Sequence, residues 1–174
     1  LGHDGIVVES LAVAPTTAQI RIRNTKLDNA PQALGRTARA LAAVLPASVE
    51  QFEIVPMLHG VPQSKVVLQR SDLEQLEFAP GGDGQIRDRA QILAISGPAP
   101  DGAVYANGLY PRFSWNVSPF VATSLFDPEN PLRADLRLRA RASYDIAPGL
   151  VLSGAVSTKL FGNIDTSRQV SDSV

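Results

Sequence analysis

Residues 132–146, LRADLRLRARASYDI, alternate without a break. Leu132, Ala134, Leu136, Leu138, Ala140, Ala142, Tyr144 and Ile146 share one side; Arg133, Asp135, Arg137, Arg139, Arg141, Ser143 and Asp145 share the other. A period of two separates residues cleanly only on a β-strand. Ordinary strands run ~5–6 residues, and a tilted strand crosses a bilayer with ~9–11. At a rise of ~3.3 Å per residue this run reaches ~50 Å, more than a small globular core usually requires.

The flanking segments repeat the pattern. Residues 110–126 place Phe113, Trp115, Val117, Val121 and Leu125 opposite Arg112, Ser114, Asn116, Ser118 and Ser124. Ala147-Pro148-Gly149 makes a tight turn, and residues 150–161 return with Leu150, Leu152, Gly154, Val156, Thr158 and Leu160 on one side. Tyr110, Phe113, Trp115, Phe126, Tyr144 and Phe161 lie near strand ends, where a membrane barrel carries its aromatic girdles. A soluble meander with one wet face also alternates. Strand length and the terminal aromatics favour the barrel. Three strands cannot close one, so the chain is expected to be an internal part of a longer protein. Its start, without Met or a signal peptide, fits that expectation.

The earlier residues read as different material. Residues 5–14 are rich in β-branched side chains, and Pro15-Thr16 breaks the run. Residues 17–24 put Ala18, Ile20 and Ile22 opposite Gln19, Arg21 and Arg23, predicting a hairpin. A helix should follow, with Asp28 or Asn29 at its N-cap, Pro31 in its first turn, a stripe of Leu34, Ala38, Leu41, Ala42 and Leu45, and Pro46 at its end. Strands are expected near 49–58, 64–70 and 89–96. A short helix capped by Ser71 should cover 72–78, with a loop at Pro80–Gly84. The fold class expected is α+β: a small two-layer ββαββαβ domain followed by long antiparallel strands of outer-membrane-barrel type. The expected divisions are a module over 1–97, a Gly/Pro-rich linker over 98–108, and the strands over 109–174.

Composition removes whole classes of chemistry. The 174 residues contain no cysteine, which excludes disulfide scaffolds, thiolate metal sites and thiol catalysis. A net charge of −1 argues against nucleic acid as a partner. No apolar stretch is long enough for a transmembrane helix.

Few residues invite catalysis. His3 lies in the start and His59 in a turn, with only Glu50 and Glu53 near the latter in sequence. Those acids point to opposite strand faces and make no acid–base pair. Gly81-Gly82-Asp83-Gly84 has no Lys-Ser/Thr sequel and is no phosphate loop. Asp127, Glu129 and Asn130 could offer oxygen ligands to calcium, but Pro128 and Pro131 favour a rigid polar turn. Asn116-Val117-Ser118 matches a glycosylation sequon that Pro119 follows. No enzyme and no cofactor are expected. Arg133, Arg137, Arg139 and Arg141 form a one-faced basic stripe that could face an anionic polymer, or could pair with acids of adjacent strands. The residues alone favour pairing.

Four early segments, Val7-Val8-Glu9-Ser10-Leu11, Arg21-Ile22-Arg23-Asn24-Thr25, Ala33-Leu34-Gly35-Arg36 and Val49-Glu50-Gln51-Phe52, resemble the YjbH family of bacterial exopolysaccharide proteins. So does Leu125 through Asp135, continuing into Gly149–Gly154 and Gly162-Asn163-Ile164-Asp165. The resemblance covers nearly the whole chain. It implies a Gram-negative outer-membrane protein in which a periplasmic α+β module precedes a β-barrel, serving assembly or export of an extracellular polysaccharide. The partners it implies are that polysaccharide, other envelope export proteins, and outer-membrane lipid around the C-terminal strands. It transfers no catalytic residue. The competing reading is a soluble carbohydrate-binding or protein-interaction module with a β-sandwich.

Overall fold

A computed structural model describes residues 5–27, 29–125 and 132–162. They form two compact units, the first running to Tyr110 and including Ala147–Gly149, the second holding the remaining residues from Pro111 onward. Among the described residues no helix is long and apolar enough to cross a membrane.

The first unit begins with β1 (Ile6–Val13) and β2 (Thr17–Asn24), paired antiparallel as the sequence predicts. The core-facing parity of β1 switches from even (Ile6, Val8) to odd (Leu11). A β-bulge between Val8 and Ser10 absorbs the switch, so all three join the same core. Helix α1 (Ala30–Val44) carries the chain to β3 (Gln51–Leu58), which lies parallel to β2. The helix buries Ala33, Thr37, Ala38 and Leu41, while Leu34, Ala42 and Leu45 pack at the margin, so the buried stripe is shifted from the expected one. Pro31 sits in the first turn, but Asn29 makes no side-chain cap bond, and Asp28 lies outside the described residues.

After β3 the chain reverses through His59 and Gly60, both at positive φ (49° and 78°), into β4 (Val61–Pro62). Two left-handed residues make the mirror-image turn that suits a two-residue hairpin. His59 is thereby a turn residue. β5 (Lys65–Gln69) pairs antiparallel with β3 and leads into α2 (Arg70–Leu76). Ser71 is not the cap of this helix. It lies inside the first turn, and its N–H donates to the Glu50 carboxylate at 3.0 Å.

In place of the loop expected at 80–84 and the strand expected over 89–96, the chain forms a third helix, α3 (Gly82–Arg89), and a strand of three residues, β6 (Gln91–Leu93). Gly81 in the left-handed region (φ 70°) turns the chain sharply. Any side chain at Gly82 would strike the Leu76 carbonyl oxygen. With Asp83 in its first turn and Arg87 and Arg89 in its last, α3 matches its own dipole. Ile86 and Ala90 pack against the core from this segment. Within 98–108, β7 (Val104–Tyr105) pairs with β1. The observed order is therefore ββα, then three strands, two helices and two short strands, in place of ββαββαβ. The sheet order is β6-β5-β3-β2-β1-β7, with β4 beside β3.

The core lies between this sheet and the helices. Ala18, Ile20 and Ile22 of β2, Phe52 and Ile54 of β3, and Val66 and Leu68 of β5 meet Ala38 and Leu41 of α1 and Leu73 of α2. On the opposite face, beside the buried Val55 and Val67, lie hydrogen-bonded and ion-paired polar groups. Arg21 donates to the carbonyls of Gly97 and Pro98, and Glu9 pairs with Arg23 at 3.1 Å. Glu53 accepts from Gln19 (2.9 Å), Gln51 (3.1 Å) and Lys65 (2.9 Å).

This wiring makes stability depend on pH. Burial alone pushes the Glu53 carboxyl up, but the hydrogen bonds from Gln19 and Lys65, the Lys65 charge and the Gln51 bond outweigh it, leaving it below the ordinary glutamate value. Glu50 also lies low, held by the Ser71 hydroxyl and N–H. A carboxyl with a depressed folded pKa stabilises the fold above its unfolded pKa of ~4.3, and that contribution is lost as pH falls through the lower folded value. Urea midpoints of the first unit should therefore drop as pH falls below ~4.3, and Glu53→Gln should flatten the drop. A midpoint equally pH-sensitive in this variant would contradict the assignment.

Candidate functional site

The second unit is one antiparallel sheet of β8 (Arg112–Leu125), β9 (Leu132–Ala147) and β10 (Leu150–Gly162), in the order β10-β9-β8. These are the long strands expected. The described residues form an open sheet and not a closed barrel. The β8–β9 register is continuous from Arg112↔Asp145 to Leu125↔Leu132. It sets Phe113 beside Tyr144, Trp115 beside Ala142, Val117 beside Ala140 and Val121 beside Leu136, all on one face. The other face aligns Ser114 with Ser143, Asn116 with Arg141, Ser118 with Arg139 and Phe120 with Arg137.

Burial on this sheet runs opposite to that of a water-soluble one. Asp135 and Asp145 are 0% and 1% exposed, whereas Trp115 and Val156, on the apolar face, are 72% and 73% exposed. Phe113, Val121, Leu150 and Leu152 are exposed with them. A buried carboxylate persists only with charged or hydrogen-bonding partners. Asp135 has them in Arg137 (3.0 Å) and Lys159 (3.2 Å), the latter from β10. Asp145 is paired with Arg112, directly across on β8.

The described arginines of the basic stripe are held differently. The Arg137 guanidinium is bound to Asp135. Arg139 lies over the Phe120 ring, 4.2 Å from its centroid, a cation–π contact. Arg141 is exposed beside its register neighbour Asn116. The side chain of Arg133 lies outside the described ones. The pairing expected for the stripe is thus present at Arg137, and among the described residues no acid pairs with Arg139 or Arg141. The sequence reading missed Lys159 and Phe120. Lys159 could have been found from its parity, opposite to Leu160 and Thr158. Phe120 could have been found as the aromatic that interrupts the polar side of β8.

A cavity of about 530 Å³ opens on this sheet. Its polar lining comes from all three strands: Ser114 and Asn116 of β8, Arg141 and Ser143 of β9, and Ser153 of β10. Alternation places these five on the polar face, and Trp115, Ala142, Gly154 and Ala155 complete the lining. Together they offer hydroxyls, one amide and one guanidinium, a set that can bind hydroxyl-rich or anionic ligands but carries no nucleophile–base pair.

The other candidates are structural or out of view. Glu50, Glu53 and Glu9 bind groups of the first sheet and its helices. Gly81–Gly84 open α3. His3, Asp127, Glu129 and Asn130 lie outside the described residues. Among the described residues no three His, Asp or Glu side chains gather where they could hold a metal.

A family model described as exopolysaccharide biosynthesis protein YbjH (YjbH) matches residues 1–174. No curated protein and no solved structure matches the chain.

Proposed function

From the premise that this chain belongs to the YjbH exopolysaccharide-biosynthesis family over its whole length, we propose that it is a non-enzymatic part of a bacterial outer-membrane polysaccharide export protein. In this reading the first unit is a periplasmic module. The long strands are wall segments of a barrel that more chain completes. Family membership supports a role in the cell envelope. The observation that carries the membrane assignment is the inverted burial of the second sheet, with enclosed Asp135 and Asp145 behind an exposed face of Trp115, Val156, Leu152 and Phe113.

Apolar area left in water is costly, at ~25 cal/mol per Å². Lipid on that face removes the cost, and a polar lumen on the other accounts for the paired charges. The partners in this reading are outer-membrane lipid around the strands, an extracellular polysaccharide at the polar face, and other envelope export proteins at the module. Mixing the chain with phospholipid vesicles tests it. The protein should stay with the vesicles through an alkaline carbonate wash. Complete release as a monomer in plain buffer would favour a soluble sandwich that binds carbohydrate.

A further inference from the structure

We propose that the cavity on the polar face of the second sheet binds a carboxylate-bearing sugar unit, so that the polymer served by this protein is acidic. The proposal deepens the export reading and rests on it. Its basis is the charge left over on this face. Asp135 is engaged by Arg137 and Lys159, and Asp145 by Arg112. Arg139 and Arg141 have no acid partner among the described residues, so the face carries an excess of positive charge.

The two arginines are held differently. Arg139 lies over the Phe120 ring, a contact that supplies no counter-charge, and no acid among the described residues supplies one. Arg141 is exposed and lines the cavity. A guanidinium presents a planar fork of donors that matches a carboxylate with two parallel bonds. Around it stand the hydroxyls of Ser114, Ser143 and Ser153 and the Asn116 amide, from three strands. Each of these can both donate and accept, as a sugar ring with several hydroxyls requires. A neutral sugar would use the hydroxyls and amide but leave the cation without a counter-charge. The cavity of about 530 Å³ lies within the size range of small-ligand sites, ~300–1,000 Å³.

Binding of trigalacturonic acid and of its carboxyl-reduced, neutral counterpart to the full chain in detergent micelles tests the proposal. The acidic trisaccharide should bind at least about tenfold more tightly, the difference expected from one charge-assisted bidentate contact. Arg141→Gln should abolish the preference and Arg141→Lys should retain part of it. Arg87→Gln, an exposed change in the first unit, should leave it intact. Equal binding of the two trisaccharides to the unmodified chain overturns the proposal, whether or not the variants fold. So does an undiminished preference in Arg141→Gln. Vesicle association is read separately, so failure of the acidic preference leaves the export reading standing, and failure of association is visible on its own.

Discussion

Replacing Arg70 with Ala is expected to destabilise the first unit by ~3–5 kcal/mol, a large part of the ~5–15 kcal/mol that holds a domain together. Arg70 is a buried cation at the C-terminal end of α1. Its guanidinium donates to the carbonyls of Ala42, Leu45 (3.2 Å), Pro46 (2.6 Å) and Val49 (3.3 Å). Helix α1 has no basic residue in its own last turn. The carbonyls that every helix leaves unbonded at its end are therefore served from α2. Removing the side chain strands several of them at once, each costing ~1–3 kcal/mol where it is shut off from water.

The Arg70–Glu74 ion pair is the lesser part. At 2.9 Å it is well formed, but the Glu74 side chain is 63% exposed. Glu74→Ala should cost ~0.3–0.5 kcal/mol, as exposed i,i+4 pairs do. Urea titration of the piece ending at Tyr110 separates the two effects. A large loss for Glu74→Ala and a small one for Arg70→Ala would reverse the account of this corner.

An arginine introduced on the apolar face of the second sheet should cost most at mid-strand. β9 spans 16 residues, so at ~3.3 Å per residue and a tilt of ~40° it rises about 40 Å along the barrel axis. The apolar band of such a barrel is only ~25 Å tall, so the strand ends lie beyond it. Leu138, near the middle and opposite Pro119, should fall inside the band. Leu138→Arg should cost ~2–4 kcal/mol in lipid, and Ile146→Arg, near one end, ~0–1 kcal/mol. In a water-soluble sheet no depth rule applies, and the penalty follows local burial. Ile146 is exposed and Leu138 is half-buried, so a soluble sheet would give a smaller contrast. Folding free energies in phospholipid vesicles decide the matter. A flat profile across Ala134, Leu138 and Ile146 would contradict the lipid assignment.

How much of this was legible depends on how far each feature reaches along the chain. The two faces of β9 could be read from residue to residue, because on a strand each position alone decides its side. The same holds for β2, whereas the stripe of α1 was read as a helix face but buries Ala33 and Thr37 in place of Leu34 and Ala42. Helix α3 was hidden because its formation depends on a left-handed glycine at 81 and on the fit of Gly82 against Leu76. Its one apolar anchor, Ile86, gives no periodicity to detect. Arg70 read as the end of a strand, since its carbonyl partners lie 21 to 28 residues away. In the second sheet the arginine stripe was visible, but which members are paired depends on β8 and β10. Asp145 needs Arg112, Asp135 needs Lys159, and Arg139 needs Phe120. What distinguished Arg141 was the absence of an acid partner among the described residues, which no local pattern encodes.

The central claim is that the apolar face of the second sheet lies against lipid, and the chain carries its own reporter for it. Trp115 is the sole tryptophan, stands on that face, and is 72% exposed. With the protein assembled in vesicles whose acyl chains carry bromine, the emission of Trp115 should shift to the blue and be strongly quenched by the brominated lipid, while aqueous iodide leaves it unchanged. Red-shifted emission, quenched by iodide and indifferent to the brominated chains, would contradict the claim.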